Sequence, residues 1–366
     1  MIDNKGMKTP KLFSPGPTPL ADDVLAELGS DPLHHRSDAF KEILKKAYSL
    51  FPLLFDEEHS VAFSSTGTGG LEASVVNFMD FKDHVLSLNA GKFGERWGKI
   101  CNAYGVSHQN FVTPWGKSPN LENLKRMIRV QPPSAFCIQA CETSTGTAHD
   151  LKVIKELLPE DCLFVVDGIT AVGAYPISMK ENGIDVLISG SQKALGLPVG
   201  LSLIGFSERA RTKALESGLP KFYFDVLTEL KNLKAGTTTW STPTQLWQGL
   251  LIELKRLSNT GALKEKFELN LKAQNMILDW TKDSCFSLFS ESPSPSLTAL
   301  IAPEGLSTKV IQKRLIDQGY FVGAGQGDFT DKLIRIGHMA NVDLDELKLL
   351  LGLLKEVSEN ELSKAN

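Results

Sequence analysis

Two rhythms of apolar and polar positions alternate along the first two thirds of the chain. Short, continuously apolar runs recur: SVAFSS, HVLSLNA, SAFCIQA, CLFVVDG, DVLISGS and LSLIGFS. Each is strand-sized. Between them stand segments with helical spacing: Val24, Leu25 and Leu28, then AFKEILKKAYSLFPLLF, LEASVVNFM and LKVIKELLPE, with ISMKENG a short helix or loop. Alternation of strand and helix predicts an α/β fold. Strands that are apolar on both faces predict a parallel sheet covered on both sides. Ahead of this pattern, Pro10, Pro15, Pro17 and Pro19 forbid helix, so residues 1–20 read as an extended arm.

The rhythm changes near residue 255. LLIELKRLSNTGALKEKFELNLKAQNMILDW reads as one or two long helices. Strand-like SLTALIAP, helical STKVIQKRLIDQG, strand-like YFVGAG and LIRIGH, and the amphipathic DLDELKLLLGLLKEVSE follow. The predicted organisation is an arm (1–20), a large α/β domain (21–258) and a small C-terminal α+β domain (259–366). No internal repeat occurs, and SESPSPSL reads as a surface loop.

Composition narrows the class. Hydrophobic residues make up 42% and charged residues 22% of the 366, which excludes disordered, collagen-like and coiled-coil chains. Thirty-nine basic residues against 43 acidic ones leave a net charge of −4, with no excess to drive nucleic-acid binding. Five cysteines (Cys101, Cys137, Cys141, Cys162 and Cys285) are odd in number and too few for a disulfide scaffold. Cys137 and Cys141 have no second pair at zinc-site spacing, so reduced thiols in a cytoplasmic protein are expected, with no metal. MIDNKGMKTPKLFSPGPTPL lacks the apolar core of a signal peptide, and no run approaches a membrane span. A soluble, cytoplasmic enzyme is the expectation.

Three segments carry chemistry. SSTGTGGLE (64–72) lies between a predicted strand and a predicted helix, where free N–H groups and the helix dipole suit a phosphate. It lacks the GK[ST] of a P-loop, and Glu72 stands where a dinucleotide fingerprint needs its third glycine. It could equally be a plain strand-to-helix turn. In CLFVVDGITAVGA, Asp167 ends an apolar run, at the carboxyl end of a strand where α/β sheets bind ligands; a helix-capping aspartate reads the same way. In DVLISGSQKALGLPVG, Lys193 follows a strand end among uncharged flanks, and such surroundings lower a lysine's pKa and suit Schiff-base chemistry. Asp167 precedes Lys193 by one βαβ unit, so one pocket can receive both. A phosphate turn, then a strand-end acid, then a strand-end lysine is the order needed to hold pyridoxal 5'-phosphate. The carboxylate keeps the pyridine nitrogen protonated and the lysine condenses with the aldehyde.

With these parts in place, the chain resembles the class V aminotransferases of the fold type I pyridoxal-phosphate enzymes, closest to the alanine–glyoxylate and serine–pyruvate group. SGSQKAL, VVDGITAVGA, ETSTG and STGTGGLEA carry the resemblance, in the family's order and over nearly the whole length. It implies a mostly parallel, seven-stranded-type sheet between helices, a small α+β domain, and a homodimer with active sites at the interface. Lys193 and Asp167 would be the catalytic pair. Thr66, Gly67 and Thr68 match the phosphate turn, with Gln192 close to the phosphate, and Ile169 joins the cofactor-binding set. Phe93, in NAGKFGERWG, stands where the family stacks an aromatic ring, often tryptophan, on the cofactor. Thr143, in ETSTG, matches the residue beside the ring hydroxyl. Arg335, in LIRIGHMAN, would grip the substrate α-carboxylate, and Gly16, in SPGPTPL, would line the substrate pocket. Ser241 and Thr242, in GTTTWSTPTQL, would reach the partner's cofactor phosphate; Thr238 replaces a tyrosine that some relatives carry upstream.

Other readings remain open at this point. His34, His35 and Arg36 form either a polar turn or ligands for a phosphorylated or phosphonate substrate, which keeps phosphoserine and 2-aminoethylphosphonate transaminases, or a lyase, as alternatives. A cysteine desulfurase needs a cysteine in FVGAGQGDFTDK, which has none. A dinucleotide oxidoreductase would need the missing third glycine. His84, His108 and His149 read as structural. The expected reaction moves an amino group from serine or alanine to glyoxylate or pyruvate.

Overall fold

A computed structural model describes residues 9–365. In chain order its strands are β1 (Lys11–Phe13), β2 (His59–Phe63), β3 (His84–Asn89), β4 (Ser107–Val112), β5 (Ala135–Gln139), β6 (Cys141–Glu142) and β7 (Thr147–Ala148). Then come β8 (Leu163–Asp167), β9 (Val186–Gly190), β10 (Ser202–Phe206), β11 (Ser287–Leu288), β12 (Leu297–Ile301), β13 (Tyr320–Ala324) and β14 (Leu333–Gly337). Residues 1–8 of the arm lie outside the described residues.

Seven strands form one sheet in the order β2-β10-β9-β8-β5-β3-β4. β5, β8, β9 and β10 are buried at every position, as their unbroken apolar runs require. β10 runs antiparallel to both β2 and β9. Its link from β9, residues 191–201, contains no helix, and a parallel return would need one. β4 closes one edge with mostly exposed residues; an edge strand faces no second covering layer, so SHQNFV stays polar.

A second sheet, in the order β1-β13-β14-β12-β11, carries the C-terminal unit. β1 pairs in parallel with β13, so arm residues form the edge of the C-terminal sheet. The cores follow the sheets. One cluster runs from Val24 to Leu257, and a second joins Phe13 to residues between Ala273 and Val357. No helix among the described residues is long and apolar enough to cross a membrane.

Because β2, β3, β5, β8 and β9 all point the same way, their carboxyl ends open on one edge of the large sheet. The segments after those five strands hold the chemistry-bearing residues.

Candidate active site

Lys193 lies three residues past β9, on a loop braced from inside. Ser191 Oγ donates to Pro198 O at 2.6 Å and accepts from Leu201 N at 3.1 Å, and Thr18 Oγ1 donates to Lys193 O at 2.7 Å. The Nζ donates to Pro15 O, and no carboxylate pairs with it among the described residues. Burial, with the Arg335 charge adding to it, lowers its pKa to about 8. Gly16 sits over the amine at φ 124°, and a Cβ there would overlap Nζ. The arm thus approaches the lysine as closely as a backbone can.

Asp167 ends β8 and is 6% exposed. Among the described residues its one donor is the Ile169 N–H at 3.0 Å. Burial pushes its pKa up to about 6, against that hydrogen bond and the Arg96 charge. A buried carboxylate with so little compensation is poised for a cationic partner.

After β2, Thr66 begins the helix Gly67–Phe78 without a side-chain cap, so first-turn N–H groups stay available. Gly67 admits Ile169 so closely that a Cβ would stand 2.5 Å from Ile169 Cδ1. Gly70 lets the helix lie on β9 and β10, where a Cβ would meet Ile188 and Ser202. After β3, Phe93 opens the helix Gly94–Ala103. One turn on, Arg96 doubles back: its guanidinium carbon lies 4.6 Å from the Phe93 ring centre and its Nη1 donates to Thr68 Oγ1 at 2.9 Å. Gln192 Oε1 is buried with no partner among the described residues.

After β5 the chain turns tightly through β6 and β7. Gly146 takes φ 68°, and its N–H reaches Glu142 O at 2.9 Å. The turn packs on the C-terminal sheet, with Ala148 N donating to Ser292 O and Ser294 N to Gly146 O. This contact brings Arg335 of β14 across: Nη1 donates to Thr143 O at 2.9 Å, and Nε to Ala324 O at 2.7 Å. Arg335 is 8% exposed, and burial lowers its pKa to about 10 against the pull of Glu142. Glu142 is buried and accepts from Phe93 N, Gly94 N at 2.9 Å, Ser144 N at 3.1 Å and Ser144 Oγ at 2.5 Å. It ties the start of the Phe93 helix to the Thr143 turn. Thr143 Oγ1 meets Thr170 Oγ1 at 3.1 Å.

One cavity of about 100 Å³ is lined by Thr66, Gly67, Thr68, Phe93, Arg96, Thr143, Asp167, Ile169, Gln192 and Lys193. Nine of these were expected from sequence, and Arg96 was not. Gly16 touches the lysine from the arm, and Arg335 reaches the Thr143 backbone from the C-terminal sheet. Ser241 and Thr242 do not line this cavity. Ser241 is exposed, and Thr242 Oγ1 engages Ser64 Oγ at 3.0 Å and Trp247 Nε1 at 2.8 Å, behind the phosphate turn. His34 and His35 stack at 4.7 Å beside Thr242, and Arg36 is spent on Thr237 Oγ1 at 2.6 Å and Thr238 O.

The model of the family "Aminotransferase class-V" matches residues 12–242, which include the phosphate turn, Asp167, Lys193 and the Thr242 loop. The chain belongs to the class V aminotransferases. An uncharacterized aminotransferase of Helicobacter pylori strain J99 is 32% identical over 359 residues, covering 96% of this chain and 94% of its own. The serine–glyoxylate aminotransferase of Methylorubrum extorquens is 29% identical, covering 93% and 88%. The crystal structure of an alanine–glyoxylate aminotransferase from Nostoc sp. superposes with a TM-score of 0.91 at 28% identity, covering 98% and 97%. The fold is therefore that of fold type I, and this chain is an aminotransferase of a pyridoxal-phosphate-dependent family. Two charges of this aminotransferase, the half-buried Arg96 and the buried Glu142, escaped the sequence reading. Arg96 carries one signal: it lies three residues after Phe93, on the same helix face.

Proposed function

We propose that this aminotransferase binds pyridoxal phosphate through Lys193 and moves an amino group from a small amino acid, serine or alanine, to a small 2-oxo acid, glyoxylate or pyruvate. The observation that carries the reading is the gathering of Lys193, Asp167 and the uncapped helix start at Thr66 around one cavity. The residues fit the cofactor. Among the described residues Asp167 has no cationic partner and Gln192 Oε1 has no partner, and Gly16 and Gly67 leave space that a side chain would close.

In this reading Thr66, Gly67, Thr68 and Gln192 hold the phosphate, Phe93 and Ile169 flank the ring, and Thr143 faces its hydroxyl. When bound, the cofactor supplies an electron sink for the substrate's α-carbon. Asp167, ionised at neutral pH with a pKa near 6, holds the proton on the ring nitrogen. Lys193, lowered to about 8, is about one-tenth neutral at pH 7 and moves the α-proton. The Arg335 plane is fixed by two backbone carbonyls, and its remaining N–H donors bind the substrate carboxylate as a fork.

The glyoxylate named for the Methylorubrum and Nostoc relatives supports the choice of acceptor. The placement of His34, His35 and Arg36 outside the cavity speaks against a phosphorylated or phosphonate substrate. The reading includes a cytoplasmic homodimer in which Ser241 and Thr242 reach the partner's cofactor phosphate. The exposed Phe222, beside the Tyr223–Trp240 stack, supports a covering surface there.

The test is a panel of amino donors against glyoxylate, pyruvate and 2-oxoglutarate with the cofactor-loaded enzyme. Serine or alanine with glyoxylate or pyruvate should give the highest kcat/KM. A clear preference for phosphoserine, 2-aminoethylphosphonate or 2-oxoglutarate would replace this substrate assignment.

A further inference from the structure

A phosphate dianion at the Thr66–Thr68 turn meets the helix N-terminus, and a full positive charge beside it would strengthen the hold; few of the cavity's residues can supply one. Lys193 is drawn toward Pro15 and, in the proposed function, is committed to the cofactor's aldehyde. Arg335 gives its guanidinium to Ala324 O and Thr143 O, at the far wall of the site. Thr66, Gly67, Thr68 and Gln192 are neutral. The remaining cation among the lining residues is Arg96.

Its present contacts make it available. It is half-buried and makes no ion pair among the described residues. Its guanidinium rests on the face of the Phe93 ring and donates to Thr68 Oγ1, a hydroxyl in the first turn of the helix Gly67–Phe78. A ring face and one hydroxyl leave most of its five donors unused. Helix Gly94–Ala103 is anchored beneath it by the Glu142 carboxylate at Gly94 N, so Arg96 swings from a fixed base.

We propose that Arg96 is the cationic ligand of the cofactor's phosphate, supplied by the same chain. It would meet the phosphate beside Thr68, to which its guanidinium already donates. The inference rests on the proposed use of pyridoxal phosphate and assigns the phosphate charge to one side chain.

The experiment compares two ligands that differ only in the phosphate. Cofactor-free wild type, Arg96→Met and Arg96→Lys are titrated with pyridoxal phosphate and, separately, with pyridoxal, following absorbance. For Arg96→Met, pyridoxal phosphate should bind roughly 10- to 100-fold more weakly. Pyridoxal should keep its wild-type affinity within about twofold, because it presents nothing for a guanidinium to grip. Arg96→Lys keeps a point charge and loses the fork, so its loss should fall between the two. Equal losses for both ligands would overturn the proposal and leave Arg96 a support for Phe93. An unchanged ratio of the two affinities in both variants would also overturn it. If Arg96→Met does not fold, judged by melting of the cofactor-free protein, Arg96→Lys and Arg96→Gln are read on the same ratio. A wild type that takes up neither ligand would instead defeat the proposed function.

Discussion

Lys193 and Lys266 are both withdrawn from water, yet their surroundings answer in opposite ways. At the junction of three helices, Lys266 is 11% exposed and meets Glu253 Oε1 at 2.6 Å. The other Glu253 oxygen takes Arg256, which spreads over both oxygens of Asp23 at 2.7 Å. Burial lowers the Lys266 pKa and Glu253 pulls it back up. Lys193 has a backbone carbonyl, a repelling arginine and no carboxylate partner. Four charges at the junction neutralise one another, whereas the cavity keeps Lys193, Asp167 and Arg96 under-compensated. Paired burial holds helices together. Unpaired burial stores reactivity that a ligand can release.

The sharpest break in this contrast is a pair of deletions. Lys193→Ala should abolish turnover, and borohydride should then no longer fix the cofactor to the chain. Lys266→Met should keep both properties and lose on the order of 1–3 kcal/mol in denaturant unfolding, because Arg256 still serves Glu253. Residual turnover in the first variant, or lost cofactor in the second, would erase the distinction.

Asp167→Asn comes next. Turnover should fall on the order of 10²–10³-fold, as for other groups that stabilise developing charge. The same change should help the cofactor-free fold. The folded pKa of Asp167 is raised from 3.8 to about 6, so ionisation weighs on the folded state as pH rises through that window. Two units correspond to about 3 kcal/mol, an upper bound on the gain at pH 8, and the gain should vanish below pH 4. Thermal melting of the two cofactor-free proteins at pH 4 and pH 8 reads this directly; a gain independent of pH would contradict it.

Smaller effects lie at the far wall. Arg335→Lys should retain the cofactor and lose about 100-fold in kcat/KM for amino acids, because an ammonium cannot reproduce the fork. Glu142→Gln keeps the shape and loses the charge that accepts from Gly94 N and Ser144 N. It should cost about 1–3 kcal/mol of stability and roughly tenfold in kcat, with a changed circular dichroism of the bound cofactor as Phe93 loosens. A normal cofactor signal with lost stability would reduce Glu142 to scaffolding.

The legible part of this molecule was what local pattern controls. Apolar runs announced β8 and β9, and Asp167 and Lys193 stood out as polar residues at their ends. Thr66–Thr68 was marked by its glycines between strand and helix. The antiparallel course of β10 was not foreseen, although the helix-free link implied it. β4 hid because an edge strand needs no apolar alternation. Arg96 hid because NAGKFGERWG was read only for Phe93, and the helix Gly94–Ala103, which Phe93 opens and which carries Arg96, was not recognised in the sequence. Its three-residue spacing from Phe93 is the one linear sign that the guanidinium folds back over that ring. Glu142 was passed over beside Thr143, since its four donors come from two segments about 50 residues apart.

The pairing of β1 with β13 sets a timetable for synthesis. The partners Lys11 and Tyr320 are about 300 residues apart, so at 5–20 residues per second the arm waits roughly 15–60 s for its mate to leave the ribosome. The seven-stranded sheet, by contrast, has its last strand at Ser202–Phe206 and can assemble well before then. Pro15 and Gly16, which close over Lys193, follow directly on β1. The lysine's pocket is therefore finished from both ends of the chain, and its arm-side wall is seated only after β13 has emerged. A ribosome-bound chain stalled before residue 320 should carry a folded large sheet with the lysine still open to solvent.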